Sequence, residues 1–335
     1  MSRRVAPSIR TVAERAGVSI ATVSNVVNGK ASVSPDLAER VRAAIRELGY
    51  VADRSAAGLR SRKTALAAVV VPDLANPMSA AFVSVLEHEA RGDGFDLVVV
   101  SARNDPAEEA DRLANLRAWR PAGLIVIPCD GALAERLPPG FAIPAVVADR
   151  IPDDASFDLV AVDNRAACAS LARHLAQEGF RTCLVVGSSL GIANIAERWD
   201  GFGSAAGPIA AEMLEVGFDG EAATGHLHRR LERGPRPEAI FALDHLSSLA
   251  SYRLVGELGL SIPADLAFAS FDEMEWMRLV TPPLTAVRQP VEDMAKSAWA
   301  RLRARMDGEA PAEKALRLEC ALALRGSTRR VPLPS

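Results

Sequence analysis

From residue 65 onward, short apolar runs alternate with stretches of helical periodicity, and no other feature constrains the fold as strongly. The runs at 65–71, 95–100, 123–127, 145–148, 159–162, 182–186, 239–242, 266–270 and 284–287 are continuously apolar. Strands of that kind are buried on both faces. Most are separated by amphipathic stretches, at about 78–92, 107–118, 164–178, 195–206, 222–233, 244–258 and 290–307. Strand–helix–strand succession predicts doubly wound, parallel α/β sheets. The segment is too long for one such sheet, so two lobes of the same logic are expected, although no internal repeat is visible.

The first 64 residues read differently. They carry 12 Lys and Arg against 5 Asp and Glu, a net charge of +7. The remaining 271 carry 27 against 37, a net of −10, so the whole-chain value of −3 hides a basic head on an acidic body. A basic head suits a polyanionic partner, most often nucleic acid. Thr11-Val-Ala-Glu14 has capping-box spacing and predicts a helix to Ala16, closed by Gly17. Ser19 can cap a second helix through about Asn28. On it Val23, Val26 and Val27 share one face, while Ile20, Ala21, Ser24, Asn25 and Asn28 lie on the other. Ser34-Pro35 opens a third helix that Gly49 ends. Helix, tight turn, helix and supporting helix form the DNA-binding helix-turn-helix pattern, though a plain three-helix bundle shares this spacing.

Several classes are excluded. No apolar run approaches the roughly 20 residues that span a bilayer. The basic N-terminus lacks an apolar core, so no secretory signal is read and a cytoplasmic protein is expected. The 4 cysteines form no CxxC, and the 5 histidines form no dense ligand cluster, so no metal is expected. There is no GxGxxG after a strand, no Walker loop and no GxSxG elbow. Neither catalysis nor a cofactor is expected.

The stretch Ile9-Arg-Thr-Val-Ala-Glu-Arg-Ala-Gly-Val-Ser-Ile-Ala-Thr-Val-Ser-Asn-Val-Val-Asn-Gly29, with Ala44-Ile-Arg-Glu-Leu-Gly-Tyr50, resembles the head of the lactose-repressor (LacI/GalR) family of bacterial transcription factors. The resemblance continues over nearly the whole chain. It implies that the second helix lies in the major groove, with Ile20, Ala21 and Asn25 at the base-reading positions. Ile20 and Ala21 offer only methyl-type contacts, and Asn25 suits adenine, whereas the family often has Arg there. Thr11, Ser19, Thr22 and Ser24 are candidate phosphate contacts. Residues 51–64 resemble the family's hinge. There a short helix orders on operator DNA and a leucine, here Leu59, wedges into the minor groove. Arg60, Arg62 and Lys63 are candidate phosphate partners nearby. Ala57-Gly58 replaces the family's usual Arg-Ser, and Gly58 costs about 1 kcal/mol of helix stability against Ala.

In the body, Val71-Pro-Asp-Leu-Ala-Asn-Pro77, Val162-Asp-Asn164, Arg198-Trp-Asp-Gly-Phe202, Phe271-Asp272 and Pro282-Pro-Leu-Thr-x-Val-x-Gln-Pro290 match the same family. Its body resembles periplasmic sugar-binding proteins: two lobes joined by crossover strands, with the effector in the cleft. The resemblance implies an N-lobe of about 65–163 plus 290–320 and a C-lobe of about 164–289 plus the C-terminal segment. Clefts of this kind lie at the carboxyl ends of strands. Asp73, Asp149, Asp244 and Asp272 follow expected strands there, and Arg198 heads a helix after another. Carboxylates accept sugar hydroxyls and Arg presents a forked donor. Arg198, Asp149 and Asp272 match family cleft positions directly, and Gln289 matches a lobe-crossing position. Asp272 also suits a helix cap, and Asp73 a turn. Met78 stands where the family commonly places an aromatic ring, and Leu243 where it usually has Asn. Trp276 is either a substitute stacking ring or a core residue.

These features predict a homodimeric, ligand-controlled DNA-binding regulator on a pseudo-palindromic site, probing a sugar or related metabolite. The rival expectation is a cytoplasmic sugar sensor whose basic head binds a protein. No leucine heptad follows Arg325, so no tail-mediated tetramer is expected.

Overall fold

The computed structural model describes residues 7–27, 33–50, 65–309 and 311–330. Asn28, Leu59, Arg60 and the rest of the expected hinge lie outside the described residues. The chain divides into two units, Met1–Thr64 and Ala65–Ser335.

The first unit contains α1 (Ile9–Ala16), α2 (Ile20–Val27) and α3 (Pro35–Leu48). Val12, Ala13, Ala16, Val23, Val41 and Ala44 form its core, with Ile9, Val18, Val26, Ile45, Leu48 and Tyr50 packed around them. The start of α1 corrects the expected capping box. Ser8, not Thr11, is the N-cap. Ser8 Oγ accepts the Thr11 N–H at 3.3 Å, and Thr11 Oγ1 accepts the Ser8 N–H at 2.8 Å. Threonine at the third helical position performs the reciprocal role expected of Glu14, so the helix begins one turn earlier. Gly17 closes α1 with φ of 64°. There Arg40 Nη2 donates to the Ala16 carbonyl at 2.7 Å, tying α3 to the end of α1. Val27, expected on the inner face, is 38% exposed.

The second unit holds two six-stranded sheets. The first comprises β1 (Leu66–Val71), β2 (Asp96–Ser101), β3 (Gly123–Val126), β4 (Ala145–Ala148), β5 (Asp158–Val162) and β11 (Ala315–Leu318). Its order is β11-β5-β4-β3-β1-β2, and every pairing is parallel. The second comprises β6 (Thr182–Gly187), β7 (Ala210–Glu215), β8 (Ala239–Ala242), β9 (Ala267–Phe271), β10 (Thr285–Arg288) and β12 (Ala321–Ala323). Its order is β12-β10-β9-β8-β6-β7, with β12 alone antiparallel. The two sheets repeat one topology. The expected doubly wound lobes are therefore present, with an antiparallel edge on the second.

The helices between these strands are α4 (Pro77–Gly92), α5 (Pro106–Trp119), α6 (Leu133–Arg136), α7 (Asn164–Gln177), α8 (Ala193–Ala205), α9 (Gly220–Arg233), α10 (His245–Glu257), α11 (Trp276–Leu279) and α12 (Val291–Met306). The chain passes from the first sheet to the second after β5, returns after β10 when α12 packs on β3, β4 and β5, and crosses again between β11 and β12. These three passages join the lobes beside the carboxyl ends of β5, β10 and β11.

Three strands were not expected: β7, β11 and β12. The β7 sequence, Ala-Ala-Glu-Met-Leu-Glu, consists of helix formers. Pairing along the whole of β6 overrides that preference. The strands β11 and β12 are short edge segments whose burial alternates or is partial, and no continuous apolar run marks them.

Candidate functional site

In the head, α2 is anchored by fully buried Val23 and offers Ile20, 43% exposed, at its outer start. Ala21 is exposed, and Thr22, Ser24 and Asn25 are half-buried. Ser19 Oγ accepts the Thr22 N–H at 3.1 Å, and the two hydroxyls lie 2.9 Å apart. The first turn of α2 is thus capped while its outer face stays open. Thr11 is exposed one helix away. Residues 20, 21 and 25 occupy one side of a two-turn helix, as i, i+1 and i+5 spacing requires.

In the body, most of the expected effector residues converge. Arg198 projects from α8 and is 2% exposed. A buried guanidinium needs partners, and it has them. Its Nε donates to Asn164 Oδ1 at 2.8 Å and its Nη1 to the Leu243 carbonyl at 2.6 Å. Its Cζ sits 3.6 Å from the centroid of the Phe271 ring. Leu243 has an apolar side chain buried in the core, and its backbone supplies the polar contact.

Asp149 and Asp272 follow β4 and β9, are each 6% exposed, and hold φ of 60° and 71°. Left-handed backbone at a non-glycine residue is uncommon and clusters at functional loops. Asp149 Oδ1 is buried with no hydrogen-bond partner. Burial raises its carboxyl above the usual range, Arg198 and Arg150 offset part of that, and Asp272 adds to it. Asp272 accepts a short hydrogen bond from Gln289 Nε2. Gln289 Nε2 also lies 3.0 Å from Met78 Sδ, and Gln289 Oε1 has no partner. Met78, from the first lobe, thus meets the lobe-crossing glutamine.

Asp73 and Asp244 are not hydrogen-bonded to these side chains, although Asp244 directly follows Leu243, whose carbonyl Arg198 holds. They line a cavity of about 300 Å³ whose wall also includes Asn104, Arg150, Phe218 and Arg253. Asp73 Oδ1 accepts the Ala75 N–H at 2.9 Å, forming a turn. Asp244 caps α10: Oδ1 accepts from Ser247 N at 2.8 Å, and Oδ2 from Ser188 N at 2.7 Å. Each of its two oxygens thus accepts one backbone N–H, which leaves acceptor capacity on both. Trp276 packs against Tyr252 with centroids 5.0 Å apart and planes tilted by 51°, and lies against the second lobe's core.

Sequence reasoning passed over Asn164 and Asn194. Asn164 is fully buried and holds Arg198. Asn194 is 4% exposed, precedes Arg198 by one helical turn, and has an unpartnered Oδ1. The i, i+4 spacing on α8 was the available signal for Asn194. Among the described residues, no group of three or more His, Cys, Asp or Glu is arranged to hold a metal. No helix among them is long and apolar enough to cross a membrane.

Comparison with known proteins agrees with both halves of this description. Residues 8–53 match the family described as bacterial regulatory proteins, lacI family, and residues 172–328 match the periplasmic binding protein-like domain. The chain is 32% identical to the HTH-type transcriptional regulator PtxS of Pseudomonas putida, over 96% of each chain. It is 32% identical to the regulator KdgR of Bacillus subtilis, covering 96% of this chain and 97% of that one. The lac repressor dimer bound to operator and the anti-inducer ONPF superposes with a TM-score of 0.83 at 25% identity, over 97% of this chain and 99% of that chain. A complex of the transcriptional regulator CelR with cellobiose superposes with a TM-score of 0.71 at 27% identity, over 96% and 99%.

Proposed function

The chain belongs to the lacI family of bacterial regulatory proteins, and from that premise we propose a cytoplasmic, homodimeric repressor whose operator affinity is set by a sugar-like effector held between its lobes. As a family member it is a DNA-binding transcriptional regulator and not an enzyme. In this reading residues 1–50 are the DNA-binding head, 51–64 the hinge and 65–335 the sensor and dimerisation body. Ile20, Ala21 and Asn25 read bases of a pseudo-palindromic operator, since protein two-fold symmetry mirrors site symmetry. Thr11, Ser19, Thr22, Ser24 and Asn28 position the head, and Leu59 with Arg60 engages the minor groove.

The observation that carries the effector reading is the buried group around Arg198. Asp149 Oδ1, Gln289 Oε1 and Asn194 Oδ1 are acceptors without donors. A buried unsatisfied acceptor costs about 1–3 kcal/mol. Ligand hydroxyls supply the missing donors, and Arg198 and Asp272 orient the same ligand. The lac repressor complex with ONPF and the CelR complex with cellobiose support a small-molecule effector for this fold. The cavity beside Asp73 and Asp244 gives the ligand room to extend.

A thermal-shift screen with neutral sugars, sugar acids, polyols and nucleosides tests the proposal. A true effector at 100 times its dissociation constant adds about 2.7 kcal/mol of stability. Arg198→Ala is expected to abolish that shift and the effector's influence on DNA binding while preserving the dimer. A normal response in the variant removes Arg198 from the site. Absence of any sequence-preferring DNA binding, with or without these compounds, overturns the repressor reading.

A further inference from the structure

The contacts of Arg198 do not end within its own lobe. Asn164 Oδ1 accepts from Arg198 Nε, while Asn164 Nδ2 donates to Glu197 Oε2 at 3.1 Å. Glu197 is in turn held by Arg317, whose Nη1 reaches Oε2 at 2.9 Å and whose Nη2 reaches Oε1 at 3.1 Å. Glu197 and Arg198 belong to α8 on the second lobe, whereas Arg317 lies in β11, the edge strand of the first sheet. Asn164 sits where the chain passes between them. Arg317 Nη1 and Asn164 Nδ2 also both donate to the Val162 carbonyl, at 3.3 and 3.4 Å, at the end of β5. An unbroken polar chain therefore runs from the cleft arginine, across the lobe crossing, to the first sheet.

Each link follows from donor and acceptor chemistry. A carboxamide fixed at both ends has one orientation: its oxygen must face the guanidinium, and its NH2 group a carboxylate. Glu197 supplies that carboxylate and Arg317 fixes it by a two-point pair, the geometry that locks a side chain most firmly. With side-chain exposures of 18% for Glu197 and 36% for Arg317, the pair lies at the edge of the lobe junction. It forms only when β11 and α8 are brought together. We propose that Glu197 is a positioning residue for Arg198, paired across the lobes with Arg317, so that the aim of the cleft guanidinium depends on a contact made between the two lobes. The role of Arg198 toward an effector rests on the function proposed above; its positioning by Glu197 does not. A contact that spans the lobes couples the orientation of Arg198 to the placement of β11 against α8.

Phe271 supplies a spectroscopic handle, because a guanidinium stacked on a ring feels its ring current. The test is the arginine Nε–H spectrum of the full-length dimer without added ligand. The Arg198 signal is identified by its loss in Arg198→Lys. It is expected to be displaced and slow to exchange with water. In Arg317→Gln, a change in the other lobe, the displacement collapses and exchange accelerates at least tenfold. Arg317→Lys, which keeps the charge, retains most of the displacement. Glu197→Gln behaves like Arg317→Gln and provides the answer from the other partner should one variant fail to fold. An Arg198 signal that stays in place in folded Arg317→Gln or Glu197→Gln, with exchange within twofold of the parent, overturns the proposal. A collapse that Arg317→Lys fails to prevent also overturns it, since side-chain packing rather than the charge pair would then be responsible. Arg198→Ala that still responds normally to a sugar removes Arg198 from the effector site and leaves its positioning by Glu197 untouched.

Discussion

At the residue scale, Asp149 carries a testable pH signature. Its carboxyl is buried at the end of β4 with one oxygen unpartnered, and burial raises it above the ordinary value of 3.8. Between the ordinary and the raised value the folded chain keeps a proton that the unfolded chain has released. Stability therefore falls as pH rises through that window, and the penalty is fully present above the raised value. Asp149→Asn removes this penalty. The variant's melting temperature relative to the parent is expected to climb as pH rises from about 4 and then level off. A difference that is flat with pH would show that Asp149 is not held as a buried acid. The residue type at this site was legible, because an aspartate after a strand end is a recognisable cleft feature. That Asp244 would commit both oxygens to the backbone N–H groups of Ser188 and Ser247 was not legible. Ser188 lies 56 residues away in sequence.

At the scale of elements, the Arg198-Trp-Asp-Gly-Phe202 segment has a packing reason as well as a polar one. A Cβ on Gly201 would lie 2.4 Å from the Arg165 carbonyl oxygen and 2.6 Å from its Cα. Helices α7 and α8 cross so closely there that only hydrogen fits, and the Arg165–Asp200 pair at 3.0 Å flanks the crossing. Gly201→Ala is expected to force the helices apart and cost about 1–3 kcal/mol. Gly203, two residues on in the same helix, has nothing within 4 Å of its added Cβ. Gly203→Ala is expected to be neutral or to stabilise by up to about 1 kcal/mol. Thermal or urea unfolding of the pair separates close approach from helix propensity: equal effects would remove the crossing as the cause. Most helices and the continuous strands were legible because their periodicity is local. The strand β7 was not, because its helix-forming residues become a strand only by pairing with β6. The capping of α1 shows the same limit on a smaller scale, since Ser8–Thr11 and Thr11–Glu14 have equal spacing and only the backbone chooses between them.

At the scale of the whole molecule, the charge division of +7 against −10 follows the division of labour. In the proposed function, a basic head on an acidic body favours phosphate contact at the head, because like charge on the body repels the duplex. Operator binding is expected to weaken steeply with salt, with a log–log slope of about −0.9 for each phosphate neutralised. Asn25→Ala is expected to cost about 1–3 kcal/mol against the preferred site and little against unrelated DNA. Titration of both duplexes at several salt concentrations checks both expectations; a flat salt response would mean that the head does not bind phosphate. Effector and operator must also influence each other by the same factor, commonly about 1–3 kcal/mol in coupling.

What the sequence determined alone is what local rules can encode. Helix caps, turn glycines, apolar faces and the strand–helix alternation are written within a few residues of one another, and they sufficed for the head, the parallel sheets and the family resemblance. What the tertiary structure decided is which distant residues meet. Arg198, Asp149, Asp272, Gln289 and Asn164 come from five different segments. They converge because the strand order of two sheets, and the crossings between them, bring their ends together. Spacing along the chain carries no record of that order. Glu197 and Arg317 are 120 residues apart in sequence and in direct contact in space. Such a contact exists only once both lobes have folded and the crossings between them are in place.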